Sequence, residues 1–92
     1  GHTASLFPAS PNLEAGLDLS SPRRCLPLLA PSVPHQRLSM TRSLLASAAF
    51  TALSVQGQGK LATLRAALAG NDLTEMPIRA FLHDPLDIYW CP

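Results

Sequence analysis

The side chains that could carry out catalysis are few in this chain and lie far apart. Its three histidines are His2, His35 and His83, and they share no motif. A catalytic centre requires a nucleophile beside a base, a pair of carboxylates or a set of metal ligands. His83 and Asp84 are neighbours, but a histidine near a helix end is ordinarily solvated or faces the helix dipole. The sequence therefore predicts no catalytic residue, and we expect that the protein is not an enzyme.

The cysteines and glycines indicate neither a metal site nor a cofactor site. Cys25 and Cys91 are too few for a disulfide framework, and no histidine or further cysteine stands near them at the spacing of metal ligands. They could pair or stay free. Gly57-Gln58-Gly59 matches neither a Walker loop nor a dinucleotide-binding fingerprint. We interpret this segment as a flexible joint and expect neither a metal nor a cofactor.

Charge is segregated along the chain. Residues 35–70 carry four cations and no acid, whereas residues 71–92 carry four acids and one arginine. Nucleic-acid sites gather Lys and Arg on one face and interleave aromatic side chains, and four dispersed cations do not meet this requirement. No run reaches the roughly 18 apolar residues of a membrane span. We expect neither nucleic-acid binding nor a span.

The elements that would position any site fall into two parts. Six of the nine prolines lie within residues 1–34. Because each proline lacks an amide donor and favours an extended residue before it, residues 1–37 are predicted to form an irregular arm, extended or disordered. Residues 38–92 are predicted to form a small helical module with an extended C-terminal tail.

Apolar periodicity in the second part favours an all-α fold. Apolar residues at three- and four-residue spacing predict helices over about 40–55, 60–69 and 75–84. Ser39 is a candidate N-cap of the first, Gly70 suits the end of the second, and Asp72 with Glu75 matches a capping box before the third. The predicted architecture is a small bundle of two or three short helices.

Two partial resemblances offer alternatives. Residues 51–53 followed by 59–72 resemble the helical pair of an ankyrin repeat. Ser43-Leu44, Ala48 and Ala52, together with residues 76–82, resemble a SOCS box, the helical module that recruits elongin and cullin, although Ala48 stands where that family usually has cysteine. Either resemblance implies an adaptor fragment. The acid-free composition of residues 37–69, rich in serine and alanine, also fits a targeting or precursor segment.

The function that these patterns favour is a non-catalytic helical module for protein–protein interaction or assembly. An alanine-rich helical face buries little area on its own, so a protein partner or a second copy would complete it. The predicted partner-binding residues are the larger apolar positions of the helices and the tail: Leu45, Ala49, Leu53, Leu64, Leu68 and Trp90.

Overall fold

The computed structural model describes residues 3–92 and has an α/β fold. Helices and strands follow in the order α1 (Leu13–Leu17), β1 (Cys25–Leu29), β2 (Gln36–Met40), α2 (Arg42–Ala46), β3 (Ala52–Gln56), α3 (Gln58–Ala69), α4 (Ile78–Leu82) and β4 (Asp87–Cys91). Over the described residues the four strands form two sheets of two strands each. The predicted all-α bundle is therefore wrong. No helix spans about 40–55, whereas α3 covers the helix predicted at about 60–69 and α4 lies within the one predicted at about 75–84.

The segment predicted as the first helix contains parts of three elements instead. It holds the end of β2, the five-residue helix α2 and all of β3 except Gln56. Thr41 separates the first two: its hydroxyl donates to the Arg23 carbonyl at 2.7 Å and accepts the Leu44 amide at 3.2 Å, as an N-cap does. In β3 the side chains alternate between exposed and half-buried, with Leu53 and Val55 on the half-buried side. This period of two is the signature of a strand.

The hairpin of β1 and β2 uses part of the proline-rich region. The two strands are antiparallel, and their register runs from Cys25 opposite Met40 to Leu29 opposite Gln36. Leu26 and Leu28 are buried between exposed neighbours. Proline has no amide to donate to a ladder, so Pro27 is tolerated because β1 has a partner on one side only.

The pair of β3 and β4 is parallel and determines where a ligand could bind. The register runs from Ala52 opposite Asp87 to Gln56 opposite Cys91. Parallel strands need a long crossover connection, which α3 and α4 provide here. Because the strands are parallel, their carboxyl ends lie at the same edge, and α3 begins at that edge directly after β3.

The core joins both parts of the chain. Its buried apolar side chains are Leu6, Leu13, Leu17, Leu28, Ala67, Ile78, Ala80 and Phe81. Four of them come from the region before residue 37, so that region packs against α3 and α4. Within residues 3–92 no helix is long and apolar enough to cross a membrane.

A buried arginine holds the carboxyl end of α3. Arg79 of α4 is 6% exposed, and its guanidinium donates to the carbonyl oxygens of Ala67 at 2.9 Å, Asp72 at 2.9 Å and Ala66 at 3.2 Å. The last carbonyls of a helix have no partner within it, and a cation there is favoured by the helix dipole. Arg79 therefore fixes the helix whose other end meets the carboxyl ends of β3 and β4.

Gly70 leaves room for that guanidinium, which gives a first prediction. A Cβ at this position would overlap the Arg79 guanidinium, with its Cζ only 2.5 Å away. Because three hydrogen bonds hold the arginine, we expect Gly70→Ala to lower the free energy of unfolding by about 1–3 kcal/mol. Denaturant titration measures the change.

Gly59→Ala is the matched control for this prediction. Gly59 lies in α3, and a Cβ there meets nothing within 4 Å. Since alanine is a better helix former than glycine, the free energy of unfolding of Gly59→Ala should stay unchanged or rise by up to about 1 kcal/mol. Equal losses in the two variants would contradict the role assigned to Gly70.

Asp72 caps the turn after α3 and gives a prediction for acid solution. The Thr74 hydroxyl (2.7 Å), the Thr74 amide (2.9 Å) and the Glu75 amide (3.3 Å) all donate to Oδ1 of this carboxylate. These hydrogen bonds hold the pKa of Asp72 below its ordinary value, and the bond from the Thr74 hydroxyl has the largest effect. Arg79 lowers the pKa slightly further, and desolvation raises it slightly.

A carboxyl group whose pKa is lowered in the folded state stabilises the fold above its unfolded pKa of about 3.9, and this contribution is lost as the pH falls through the folded pKa. We therefore expect Asp72→Asn to be less stable than the wild type at pH 7, and the difference to vanish as the pH falls below about 3.9 toward 2. Unfolding titrations at stepped pH measure it. A difference that is the same at pH 2 and pH 7 would contradict this explanation.

Candidate functional site

The carboxyl end of the parallel pair is the place where this fold brings backbone donors and a cation together. Gly57 connects the last residue of β3, Gln56, to the first residue of α3, Gln58. Its φ of 92° lies in the left-handed region that favours glycine, so the abrupt change from strand to helix depends on this residue.

The end of β4 holds both polar groups of Gly57. The Gly57 amide donates to the Cys91 carbonyl at 2.9 Å. The Gly57 carbonyl accepts the indole N–H of Trp90 at 2.8 Å and the Leu61 amide at 3.3 Å. The turn is thus fixed by three hydrogen bonds and is not a flexible joint.

The first turn of α3 presents free donors at this edge. The helical hydrogen bonds begin with the Leu61 amide and the Gly57 carbonyl, so the amides of Gln58, Gly59 and Lys60 come before them and have no partner within the helix. The partial positive charge of a helix N-terminus and these amides together favour an anion. Lys60 is exposed and adds a full positive charge.

A cavity of about 330 Å³ adjoins this turn, and its size suits a small ligand. Lys60, Thr63 and Leu64 contribute to its wall from α3, and β3 contributes residues 53–56. The Thr63 hydroxyl donates to the Gly59 carbonyl at 3.0 Å, so its oxygen can still accept a hydrogen bond. Among residues 3–92, Lys60 is the one charged residue in the wall, and its positive charge favours an anion there.

A second cavity, of about 250 Å³, has the opposite charge. Its wall is mainly apolar, and its charged residues are Asp84 and Asp87. The Arg42 guanidinium donates to both carboxylate oxygens of Asp84, at 3.0 and 3.2 Å, and this ion pair links α2 to the end of α4. Asp87 would repel an anion here. An anionic ligand is therefore favoured in the first cavity.

Three of the predicted partner-binding residues lie near the first turn of α3. Leu53 and Leu64 both line the cavity beside Lys60. Trp90 is half-buried, with its indole on Gly57.

The other three predicted residues lie elsewhere. Leu45 and Ala49 line the second cavity, and Leu68 is 64% exposed on α3. The structure does not gather the six residues on one face, and their role in partner binding stays a prediction.

Lys60 and the turn before it were not predicted as a site from the sequence. Because residues 52–55 were predicted as the end of a helix, the glycines that follow were interpreted only as a flexible joint. Read as a strand, the same residues would have produced the order strand, glycine, helix, which is typical of anion-binding turns. Among the other residues considered for chemistry, His83 is exposed, and His35 Nδ1 lies 3.1 Å from the Ala30 carbonyl oxygen. His2 lies outside the described residues.

Both cysteines are free and exposed. Across residues 3–92 no three His, Cys, Asp or Glu side chains come together as metal ligands would.

Comparison with known proteins gives a consistent result. The family described as glucosamine-6-phosphate isomerases/6-phosphogluconolactonase has a sequence model that matches residues 1–90. The whole chain is 96% identical to part of the 6-phosphogluconolactonase of Pseudomonas putida and 60% identical to part of that of Pseudomonas aeruginosa. It spans 38% and 39% of the length of these curated relatives.

A solved structure supports the same grouping. The crystal structure of a 6-phosphogluconolactonase from Shewanella baltica matches 98% of this chain with a TM-score of 0.88 at 34% identity, and 39% of that protein is covered.

These similarities correct the predicted function. The expectations of a non-catalytic interaction module and of a chain that is not an enzyme are wrong, because these relatives are named for a hydrolytic activity. The alternatives of an adaptor fragment and of a targeting segment fail for the same reason: the match to the family covers residues 37–82, on which both depended.

Proposed function

Because the chain belongs to the family of glucosamine-6-phosphate isomerases and 6-phosphogluconolactonases, we propose that it forms the phosphate-binding part of a 6-phosphogluconolactonase. The reaction would be hydrolysis of the ring ester of 6-phosphogluconolactone. Water adds to the ester carbonyl carbon, the bond between that carbon and the ring oxygen breaks, and 6-phosphogluconate forms with release of a proton at neutral pH.

The substrate presents two chemically different ends. Its phosphate monoester carries about −1.5 to −2 charges at pH 7 and three strong acceptor oxygens. Its lactone ring is neutral. Tight binding of the phosphate therefore requires several N–H donors and positive charge in one place, and this requirement selects among the surfaces of the chain.

The first turn of α3 meets that requirement. The amides of Gln58, Gly59 and Lys60 point toward the helix N-terminus, and Lys60 adds a positive charge to the same turn. Gly59 adds no side chain to this turn. A Cβ there would meet nothing within 4 Å, so the space beside its backbone is open. The carboxyl edge of a parallel sheet is also where α/β proteins bind their ligands.

The cavity beside this turn would take the rest of the molecule. Gln56 and Thr63 line it together with Lys60, and they offer neutral polar groups to the hydroxyls of a sugar lactone. The second cavity, with Asp84 and Asp87, offers no comparable place for a dianion.

The observation that carries the proposal is the match to the family over residues 1–90, which includes the donor-rich first turn of α3. Its test uses a protein of the relatives' full length. We define the hybrid as the Pseudomonas putida relative in which this chain replaces the 92 matching residues. Proton release from 6-phosphogluconolactone, followed in a pH-stat, gives the rate of hydrolysis.

We expect the hybrid to hydrolyse the lactone at a rate within a fewfold of the unaltered relative. A hybrid that folds cooperatively, yet releases protons no faster than the lactone hydrolyses alone, would contradict the proposal.

A further inference from the structure

Among the described residues, Trp90 of β4 is the one side chain that donates a hydrogen bond to the Gly57 carbonyl. Its indole N–H donates to the Gly57 oxygen at 2.8 Å across 33 residues of sequence. In the register of β3 and β4, Trp90 stands opposite Val55, two residues before Gly57. The indole therefore reaches past the end of the paired strands to the turn.

This bond controls the direction of a donor that the phosphate would use. The peptide unit between Gly57 and Gln58 is planar and trans, so its oxygen and its N–H point in opposite directions. When Trp90 and Leu61 hold the oxygen, the Gln58 N–H is held too, facing away from the helix at its N-terminus. Glycine leaves its backbone freer than any other residue, so an unheld Gly57 would let this peptide plane rotate.

We propose that Trp90 is a positioning residue for phosphate binding: it fixes the Gly57–Gln58 peptide so that the first amides of α3 converge on the anion. The proposal rests on the proposed function and adds to it a residue that contacts no substrate. Trp90 acts on affinity for the phosphate group and not on the ester chemistry.

The test removes the indole N–H and keeps an aromatic ring at position 90. In the hybrid, Trp90→Phe should raise KM for 6-phosphogluconolactone about threefold to tenfold, the worth of one hydrogen bond. The kcat should stay within about twofold, because the reacting ester is not moved. Competitive inhibition by inorganic phosphate should weaken by the same factor as KM rises. Tyr89→Phe, at the neighbouring 59% exposed position, is the control and should change neither constant.

A second replacement distinguishes the loss of the hydrogen bond from a loss of packing. Benzothienylalanine at position 90 has the shape of tryptophan with sulfur in place of the N–H, so it deletes the hydrogen bond alone. It should raise KM and the phosphate inhibition constant as Trp90→Phe does.

The outcomes separate the two proposals. If the unmutated hybrid hydrolyses the lactone and is inhibited by phosphate, but both replacements leave KM and inhibition unchanged, the role of Trp90 is overturned and the proposed function stands. A fall in kcat or in thermal stability with unchanged KM also overturns it, because that pattern is structural. If the unmutated hybrid neither hydrolyses the lactone nor binds phosphate, the proposed function itself fails.

Discussion

Replacing Arg79 with methionine should lower the free energy of unfolding by about 2–4 kcal/mol, since it removes three hydrogen bonds from a charged group, and such a bond contributes about 1.5–3 kcal/mol where no other donor is present. The guanidinium donates to the carbonyls of Ala66, Ala67 and Asp72. The carbonyls of Ala67 and Asp72 also accept the amides of Gly70 and Met76 at 3.3 Å, so the expected loss is smaller than three full contributions. Methionine keeps much of the apolar stem, so the loss reports the hydrogen bonds more than the packing. Urea titration of the chain, with the slope compared between variants, measures it.

Two variants serve as controls for Arg79. Arg65→Met removes a cation from an exposed position on α3 and should change the free energy of unfolding by no more than about 0.5 kcal/mol. Arg79→Lys keeps the charge but cannot reach three carbonyls at once, so it should recover only part of the loss. If Arg79→Met were as stable as Arg65→Met, the bonds from α4 would not be what holds the end of α3.

Replacing Lys60 with methionine should raise KM for 6-phosphogluconolactone in the hybrid by about 10- to 100-fold, because a hydrogen bond to a charged group contributes about 1.5–3 kcal/mol. The side chain is exposed, so the free energy of unfolding should stay within about 0.5 kcal/mol of the parent. Steady-state kinetics and urea titration of the same preparation separate binding from stability.

The matched control for Lys60 is again Arg65→Met. Arg65 is an exposed cation of the same helix, five residues further along and outside the cavity. Its loss changes the net charge equally and should leave KM within about twofold, the effect of a screened charge. Equal rises in KM for the two variants would mean that net charge attracts the substrate, and that no specific contact with Lys60 exists.

One helix could be predicted from the sequence but the strands could not, and particular residues explain both outcomes. Residues 60–69 carry leucines at helical spacing and end at Gly70, and the structure has a helix there from Gln58 to Ala69. Leu53 and Val55 fit both a helical and an alternating pattern, so the local signal could not decide. Their pairing with Ile88 and Trp90 decides it, and those partners lie 35 residues away.

The hairpin of β1 and β2 could not be predicted because β1 contains Pro27. A proline inside a strand pattern argues against a strand unless that strand lies at a sheet edge, and the edge position depends on β2, which a single pass along the chain does not reveal. The buried alternation of Leu26 and Leu28 was the local signal that could have identified it.

The site could not be predicted from the sequence because its residues come from distant positions in the chain. The donors belong to residues 58–60, but the bonds that fix the turn come from Trp90 and Cys91. Backbone amides carry no sequence signature of their own, and a search for catalytic side chains passes over them. Lys60 begins the helix that the sequence predicts over about 60–69, but the amides of residues 58–60 can be recognised as a site only once β3 is known to end at Gln56.

A crystal structure of the hybrid with bound 6-phosphogluconate tests the phosphate site most directly. We expect phosphate oxygens about 2.7–3.2 Å from the amide nitrogens of Gln58, Gly59 or Lys60 and from the Lys60 Nζ, the range of N–H hydrogen bonds to oxygen. The Trp90 indole should remain on the Gly57 carbonyl. A phosphate bound in the cavity of Asp84 and Asp87, or anywhere away from the first turn of α3, would contradict this expectation.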